Sequence, residues 1–106
     1  MRARPAPAGD KRRAQLRALA DPTRLRILEL LAKKGRCSCD QVDPRAAGLC
    51  VCDLERALGL TQPTITHHLQ VLREAGLVEC VRIGPWLYCR RQEAALKALG
   101  AAVASL

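Results

Sequence analysis

The sequence predicts a mainly α-helical domain with one small β-hairpin. Apolar residues recur at helical spacing along most of the chain. Two of those stretches are joined by a short Gly-containing turn. A later stretch alternates around a Gly-Pro break, as a hairpin does. At 106 residues this is one domain with a modest core. Phe is absent, and Trp86 and Tyr88 are the only aromatics, so the core rests on Leu, Ile, Val and Ala.

The stretch from Leu49 to Leu77 organises the rest. Val51, Leu54 and Leu58 fall at i, i+3, i+7 and give one apolar helical face. Gly59 stops that helix, because it takes a positive φ without steric cost. Thr61 is placed to cap the next helix through its side chain. Pro63 fits a first turn, where no N–H is needed. Ile65, Leu69 and Leu72 repeat the apolar spacing and Gly76 closes the second helix. Helix, short turn, helix is the helix-turn-helix pattern. Gln62, Thr64, Thr66, His67 and Gln70 are left outward. They are hydrogen-bonding groups suited to base edges and phosphates, unlike the Lys/Glu mix of an ordinary solvated face.

The remaining segments follow in order. Residues 1–9 lack periodicity, carry Arg2 and Arg4, and read as a disordered basic tail. Asp10 is expected to cap a first helix bearing Leu16 and Leu19. Asp21-Pro22 restarts the chain as cap and first-turn proline. Leu25, Leu28, Leu31 and Ala32 then make an apolar stripe, with Lys33 and Lys34 before a stop at Gly35. Residues 36–49 break all periodicity and read as a loop, punctuated by Pro44 and Gly48. Residues 78–91 read as the hairpin. Its Arg82, Arg90 and Arg91 are candidates for phosphate or minor-groove contact. Residues 92–106 form an Ala-rich helix with Leu96, Leu99, Val103 and Leu106 in a stripe that wants a partner helix.

The sequence resembles the ArsR/SmtB family of metal-responsive repressors. The resemblance lies in Asp21-Pro22-Thr23-Arg24-Leu25-Arg26-Ile27-Leu28, Leu49-Cys50-Val51-Cys52-Asp53-Leu54, and Thr66-His67-His68-Leu69 running to Leu72-Arg73-Glu74-Ala75-Gly76-Leu77-Val78. It covers roughly residues 11–91. It implies a winged helix-turn-helix within residues 10–106, with residues 78–91 as the wing. It also implies a homodimer that binds double-stranded operator DNA and lets go when metal binds. We assign dimerisation to residues 92–106 with the first helix beside them. The chain departs from the family at residues 36–49, an added loop with its own Cys-x-Cys.

Six cysteines accompany a formal net charge of +8, which favours a polyanionic partner, nucleic acid before membrane. No apolar run is long enough to span a bilayer, and no signal-peptide pattern is visible, so the expected compartment is the cytoplasm. In a reducing compartment the cysteines read as metal or redox ligands before disulfides. Cys37 and Cys39 form one pair; Cys50 and Cys52 form another after ten intervening residues. Such a soft thiolate set selects Zn, Cd, Pb, Cu(I) or As(III) over hard cations. A tetrahedral ion would use all four thiols, and trigonal As(III) three.

Residues two apart on a regular helix diverge by roughly 200°. Cys50 and Cys52 therefore converge only if Cys50 lies ahead of the helix or the first turn is unwound. Arsenic sensors of the family often carry a third cysteine three residues after the pair; that place here is Glu55. The family's zinc site on the last helix is also lacking, since that helix offers only Glu93. Cys80 and Cys89 fall on the same face of the hairpin arms in either plausible register. They read as small buried hydrophobes. His67 is expected to face DNA and His68 to pack against the domain.

Three functions compete. The first is a dimeric repressor released by a thiophilic ion. The second is a repressor whose same thiols respond to oxidation. The third is a zinc-stapled thiol-rich interaction or metal-buffering module, against which the Thr/Gln/His face argues. No nucleophile-base set or phosphate loop suggests an enzyme.

Overall fold

The computed structural model describes residues 8–33 and 48–106. Residues 1–7 of the expected 1–9 tail, the helix stop expected at Gly35, and most of the 36–49 loop, including Cys37 and Cys39, lie outside the described residues; Ala8 and Gly9, expected in the tail, belong instead to the first helix. Among those described, the order is α1 (Ala8–Leu19), α2 (Pro22–Ala32), β1 (Leu49–Cys50), α3 (Val51–Leu58), α4 (Gln62–Glu74), β2 (Val78–Ile83), β3 (Trp86–Arg91) and α5 (Glu93–Ala104).

The sheet has three antiparallel strands in the order β1-β3-β2, where the sequence suggested only a hairpin. Leu49 pairs with Cys89 and Cys50 with Tyr88. A two-residue strand is too short for any alternation to announce it. Gly48, φ 101°, leads into it, and a Cβ there would collide with the Cys89 carbonyl. In the hairpin, Ile83 faces Trp86 across a two-residue turn. Gly84 supplies the positive φ of 61° that the first turn position of such a loop favours.

The core is fed by α2 through Ile27, Leu28 and Leu31, by α3 through Val51 and Leu54, and by α4 through Ile65, Leu69 and Leu72. Leu77, Val78, Cys89 and Leu99 close it. Full burial of each large aliphatic contributes about 1.5–3 kcal/mol relative to exposure. The expected α2 stripe is shifted: Leu25 is 45% exposed, and Ala32 is exposed. The buried side of α2 runs through Ile27 because that is the side turned to α4 and β3. On α1, Gln15 and Ala18 point inward while Leu16 stays outside. Asp10 lies within the first turn of α1, which begins at Ala8, so it does not cap that helix. The stripe on α5 divides. Leu99 is buried and Leu96 packs on the core, whereas Val103 and Leu106 are exposed.

Two helix ends fix the reading head. α3 ends on Gly59 at φ 66°, whose N–H donates to the Glu55 carbonyl at 2.8 Å. At the end of α4 the Gly76 N–H donates to Arg73 O (2.9 Å) and the Leu77 N–H to Leu72 O (3.0 Å). These two bonds make a Schellman closure around Gly76, φ 76°. Thr61 occupies the N-cap of α4, but its side chain makes no cap bond. Its hydroxyl lies 3.2 Å from that of Thr64 instead.

Candidate nucleic-acid interface and thiol site

α4 buries Ile65, Leu69 and Leu72, which leaves Gln62, Thr64, Thr66, His67 and Gln70 exposed together on its outer side. Side chains three or four apart on a helix stand one above another, so Thr64, His67 and Gln70 form one row and Thr66 and Gln70 another. The row carries donors and acceptors without fixed charge.

A polar knot holds this helix in place. The Asp21 carboxylate accepts the Arg24 backbone N–H (3.0 Å) and caps α2. The Arg24 side chain reaches two other helices. Its Nε donates to the Ala18 carbonyl at the end of α1 (2.6 Å), and its Nη1 lies 3.2 Å from His68 Nδ1 on α4. His68 Nδ1 is also 4.0 Å from the Asp21 carboxylate. His68 thus packs against the domain while its neighbour His67 stays outside. Burial lowers the His68 pKa, and the Arg24 N–H bond lowers that of Asp21. A second tie runs from Gln15 Nε2 to the Ala75 carbonyl at the α4 terminus (3.1 Å). Sequence periodicity could not find Gln15, a buried polar residue on an otherwise polar helix.

The hairpin arginines divide. Arg82 is exposed. Arg90 is ion-paired with Glu79, whose other oxygen accepts from Gln92 Nε2 (2.7 Å). Arg91 donates to Glu93 (3.1 Å) and reaches the Leu28 carbonyl (3.5 Å). Arg90 thus ties β3 to β2 with its side chain still 56% exposed, and Arg91 ties β3 to α2 and α5.

The thiol pair sits where β1 turns into α3. Cys50 has extended dihedrals, φ −83° and ψ 163°, and is the N-cap of α3; Cys52 lies in the first helical turn. Cys50 thus precedes the helix, one of the two geometries that let the pair converge. Their Cα atoms are 5.4 Å apart, and the structure joins them by a disulfide. Asp53 Oδ2 is 3.5 Å from Cys50 Sγ, and ligand atoms of Cys50, Cys52 and Asp53 lie within 4.8 Å of one another. With the disulfide reduced, two soft ligands and one carboxylate occupy a space fit for a single ion. The helix N-terminus lowers the cost of thiolate charge there. Tyr88 and Cys50 form a small buried cluster with Cys52, Ile83 and Trp86. The Tyr88 hydroxyl is buried and has no hydrogen-bond partner among the described residues. Spacing alone did not single out Tyr88; its pairing with Cys50 across β1 and β3 brings it there.

A helix-turn-helix whose second helix is flanked by a β-hairpin defines a winged helix-turn-helix protein. Residues 46–79 match the family model described as "Bacterial regulatory protein, arsR family". The chain is 43% identical over 74 residues to the arsenic resistance transcriptional regulator ArsR1 of Pseudomonas putida, covering 70% of this chain and 48% of that one. It therefore spans about half the length of that relative. It is 34% identical over 82 residues to the uncharacterised regulator YbzH of Bacillus subtilis, covering 76% of this chain and 82% of the other. Among solved structures it resembles a homodimeric winged helix-turn-helix DNA-binding domain from Mycobacterium bovis. That match has a TM-score of 0.64 and 33% identity, over 91% of this chain and 80% of that one. The chain belongs to the ArsR family of bacterial regulators.

Proposed function

We propose that this chain is a metal- or metalloid-responsive transcriptional repressor that acts as a cytoplasmic homodimer. Its ligand-free form binds double-stranded operator DNA through Gln62, Thr64, Thr66, His67 and Gln70 of α4, with Arg82 on the wing. Cys50 and Cys52, completed by Cys37 and Cys39, are the effector ligands. The effector is As(III) or a thiophilic ion such as Cd, Zn, Pb or Cu(I). A soft ion supplies strong bonds to several thiolates at once. The observation that carries this reading is the place of the Cys50/Cys52 pair. It opens the helix that a short turn connects to the outward polar row of α4.

The dimer reading is supported by the outer surface of α1 and α5. Leu16 and Val103 are each more than two-fifths exposed there. A cleft of about 200 Å³ runs between the two helices, lined by Lys11, Arg12, Gln15, Ala95, Ala98 and Leu99. The M. bovis relative is described as homodimeric. The described residues include no helix long and apolar enough to cross a membrane.

The experiment is release of a fluorescent operator by Zn, Cd, Pb, Cu(I), As(III) and Sb(III). It is run on the wild type, Cys50→Ser/Cys52→Ser, and Cys37→Ser/Cys39→Ser. Serine keeps the size and removes the soft thiolate. The first double variant should bind operator normally and no longer release. The second should release only at higher ion concentration and with altered preference. Wild-type release by the Cys50/Cys52 variant would move the sensing site elsewhere. Loss of ligand-free DNA binding in either variant, with the loaded wild type still bound, would mark a structural staple. The disulfide between Cys50 and Cys52 favours one second reading, release by oxidation of the same pair. A peroxide arm reversed by dithiothreitol distinguishes it.

A further inference from the structure

Cys80 and Cys89 stand directly opposite each other on β2 and β3. The register removes the ambiguity left by the sequence, since directly opposed side chains on one face are the closest cross-strand neighbours. The two thiols differ in access. Cys89 is buried in the main core, whereas Cys80 is half-buried. Cys80 lines a groove of about 540 Å³ between the C-terminal half of α4 and the wing, with Gln70, Arg73, Glu74, Glu79 and Gln92. The reading of both residues as inert packing therefore holds only for the burial of Cys89.

We propose that Cys80 and Cys89 form a second thiol site, separate from the Cys50/Cys52 pair, that a small hydroperoxide oxidises to a disulfide across the wing. Cys80 is the attacking thiolate and Cys89 the resolving thiol. The Cys80 sulfur takes the distal oxygen of ROOH, the O–O bond breaks, and the leaving alkoxide takes up a proton to leave as ROH. This gives Cys80 sulfenic acid. The Cys89 sulfur then attacks the Cys80 sulfur, the S–O bond breaks, and water leaves with the Cys89 proton. Two thiols and one hydroperoxide thus give one disulfide, one ROH and one water.

The surroundings assign the roles. A hydrogen bond with Cys89 stabilises the Cys80 thiolate, and Arg73 adds positive charge against the opposing effects of burial and Glu79. The same hydrogen bond and deeper burial push the Cys89 thiol up, so Cys80 ionises first. A thiolate, and not a thiol, is the nucleophile. The groove walls are mostly polar, and the Arg73 guanidinium and Gln70 amide offer donors for the leaving oxygen. This suits a small polar oxidant and disfavours a bulky apolar electrophile.

The test uses the full reduced chain, treated with hydrogen peroxide and digested with trypsin. Cleavage after Arg73, Arg82 and Arg90 puts Cys80 and Cys89 on separate peptides, residues 74–82 and 83–90. The expected product is those two peptides joined within one chain. Cys89→Ser should stop at a sulfenic acid on Cys80, trapped by dimedone. Cys80→Ser should leave Cys89 unmodified. Arg73→Gln should slow Cys80 oxidation several-fold. Circular dichroism checks that each variant is folded, and the wild-type cross-link needs no variant. The proposal is overturned if Cys89 is sulfenylated in Cys80→Ser, or if Cys80 links to another chain. It is equally overturned if Cys80 stays reduced under peroxide that oxidises the Cys50/Cys52 pair.

Discussion

Replacing Arg24 with Ala should loosen the domain from the middle. The guanidinium bridges three helices: it donates to Ala18 O at 2.6 Å and lies 3.2 Å from His68 Nδ1, beside the Asp21 cap of its own helix. Hydrogen bonds to charged groups contribute about 1.5–3 kcal/mol each. The Arg24 side chain is only partly buried, so the lower end of that range applies, and one of the two bonds has a neutral imidazole partner. We expect a loss of about 2 kcal/mol, part of it from leaving the Ala18 carbonyl without this donor. For a domain of this size that is roughly an 8–16 °C fall in Tm. Arg26→Ala is the control on the same helix. Its ion pair with Glu29 spans 3.2 Å between side chains 50% and 62% exposed, and its loss should cost less than ~0.5 kcal/mol. The assay is urea unfolding at fixed protein concentration, because the dimerisation proposed above would make apparent stability concentration-dependent. Operator titration runs beside it, since His68 belongs to α4. Equal midpoints for the two variants, with unchanged slopes, would refute the idea that this knot holds the reading head.

Gln62→Ala or His67→Ala should weaken operator binding by ~1–3 kcal/mol with little change in folding. An equal loss on random DNA would mean that these side chains touch phosphate alone. Acidification should destabilise the fold in two stages. His68 and Asp21 both bind protons more weakly when folded, so the unfolded chain holds more protons and stability rises with pH. The His68 contribution is intact above its ordinary value of 6.5 and declines below it, while that of Asp21 is intact above 3.8 and is lost as pH falls further. A His68→Asn variant whose stability still drops just below neutral pH would assign the first stage to another group.

The parts of the fold legible in the sequence are those where one period dominates. Val51, Leu54, Ile65, Leu69 and Leu72 are buried at the spacing that predicted them, and Gly59, Gly76 and Gly84 mark real positive-φ positions. What was not legible depends on partners distant in sequence. Leu25 reads like a core residue, but it stands on the outer side of α2 and is 45% exposed. The partners of Arg90 and Arg91, namely Glu79, Glu93 and the Leu28 carbonyl, could not be read from the wing segment alone. β1 exists only because β3 offers it an edge. The thiol site was legible in half. The divergence of i and i+2 on a helix required Cys50 to leave it or the first turn to unwind, and Cys50 is the N-cap. Tyr88 needed the strand register to appear.

That register also bears on how an effector at Cys50 and Cys52 would act on DNA. Cys50 is paired to Tyr88 in the sheet, and Cys52 belongs to the first turn of α3. Drawing both sulfurs to one centre therefore fixes the angle between the sheet and α3. α3 is joined to α4 by three residues, Gly59, Leu60 and Thr61, of which Leu60 packs on the core. In our reading a change in that angle is carried into α4 as a rigid movement, because close-packed helices shift between arrangements and do not deform smoothly. Such a device works only if effector binding differs between the two arrangements. Moving a 1:99 population to 99:1 needs about 5.5 kcal/mol of differential binding. A tight site indifferent to the angle would release nothing. The added Cys37/Cys39 pair can raise affinity in both arrangements, but only ligands anchored on opposite sides of the β1–α3 junction supply the difference. The two double variants should accordingly separate effector affinity from effector response.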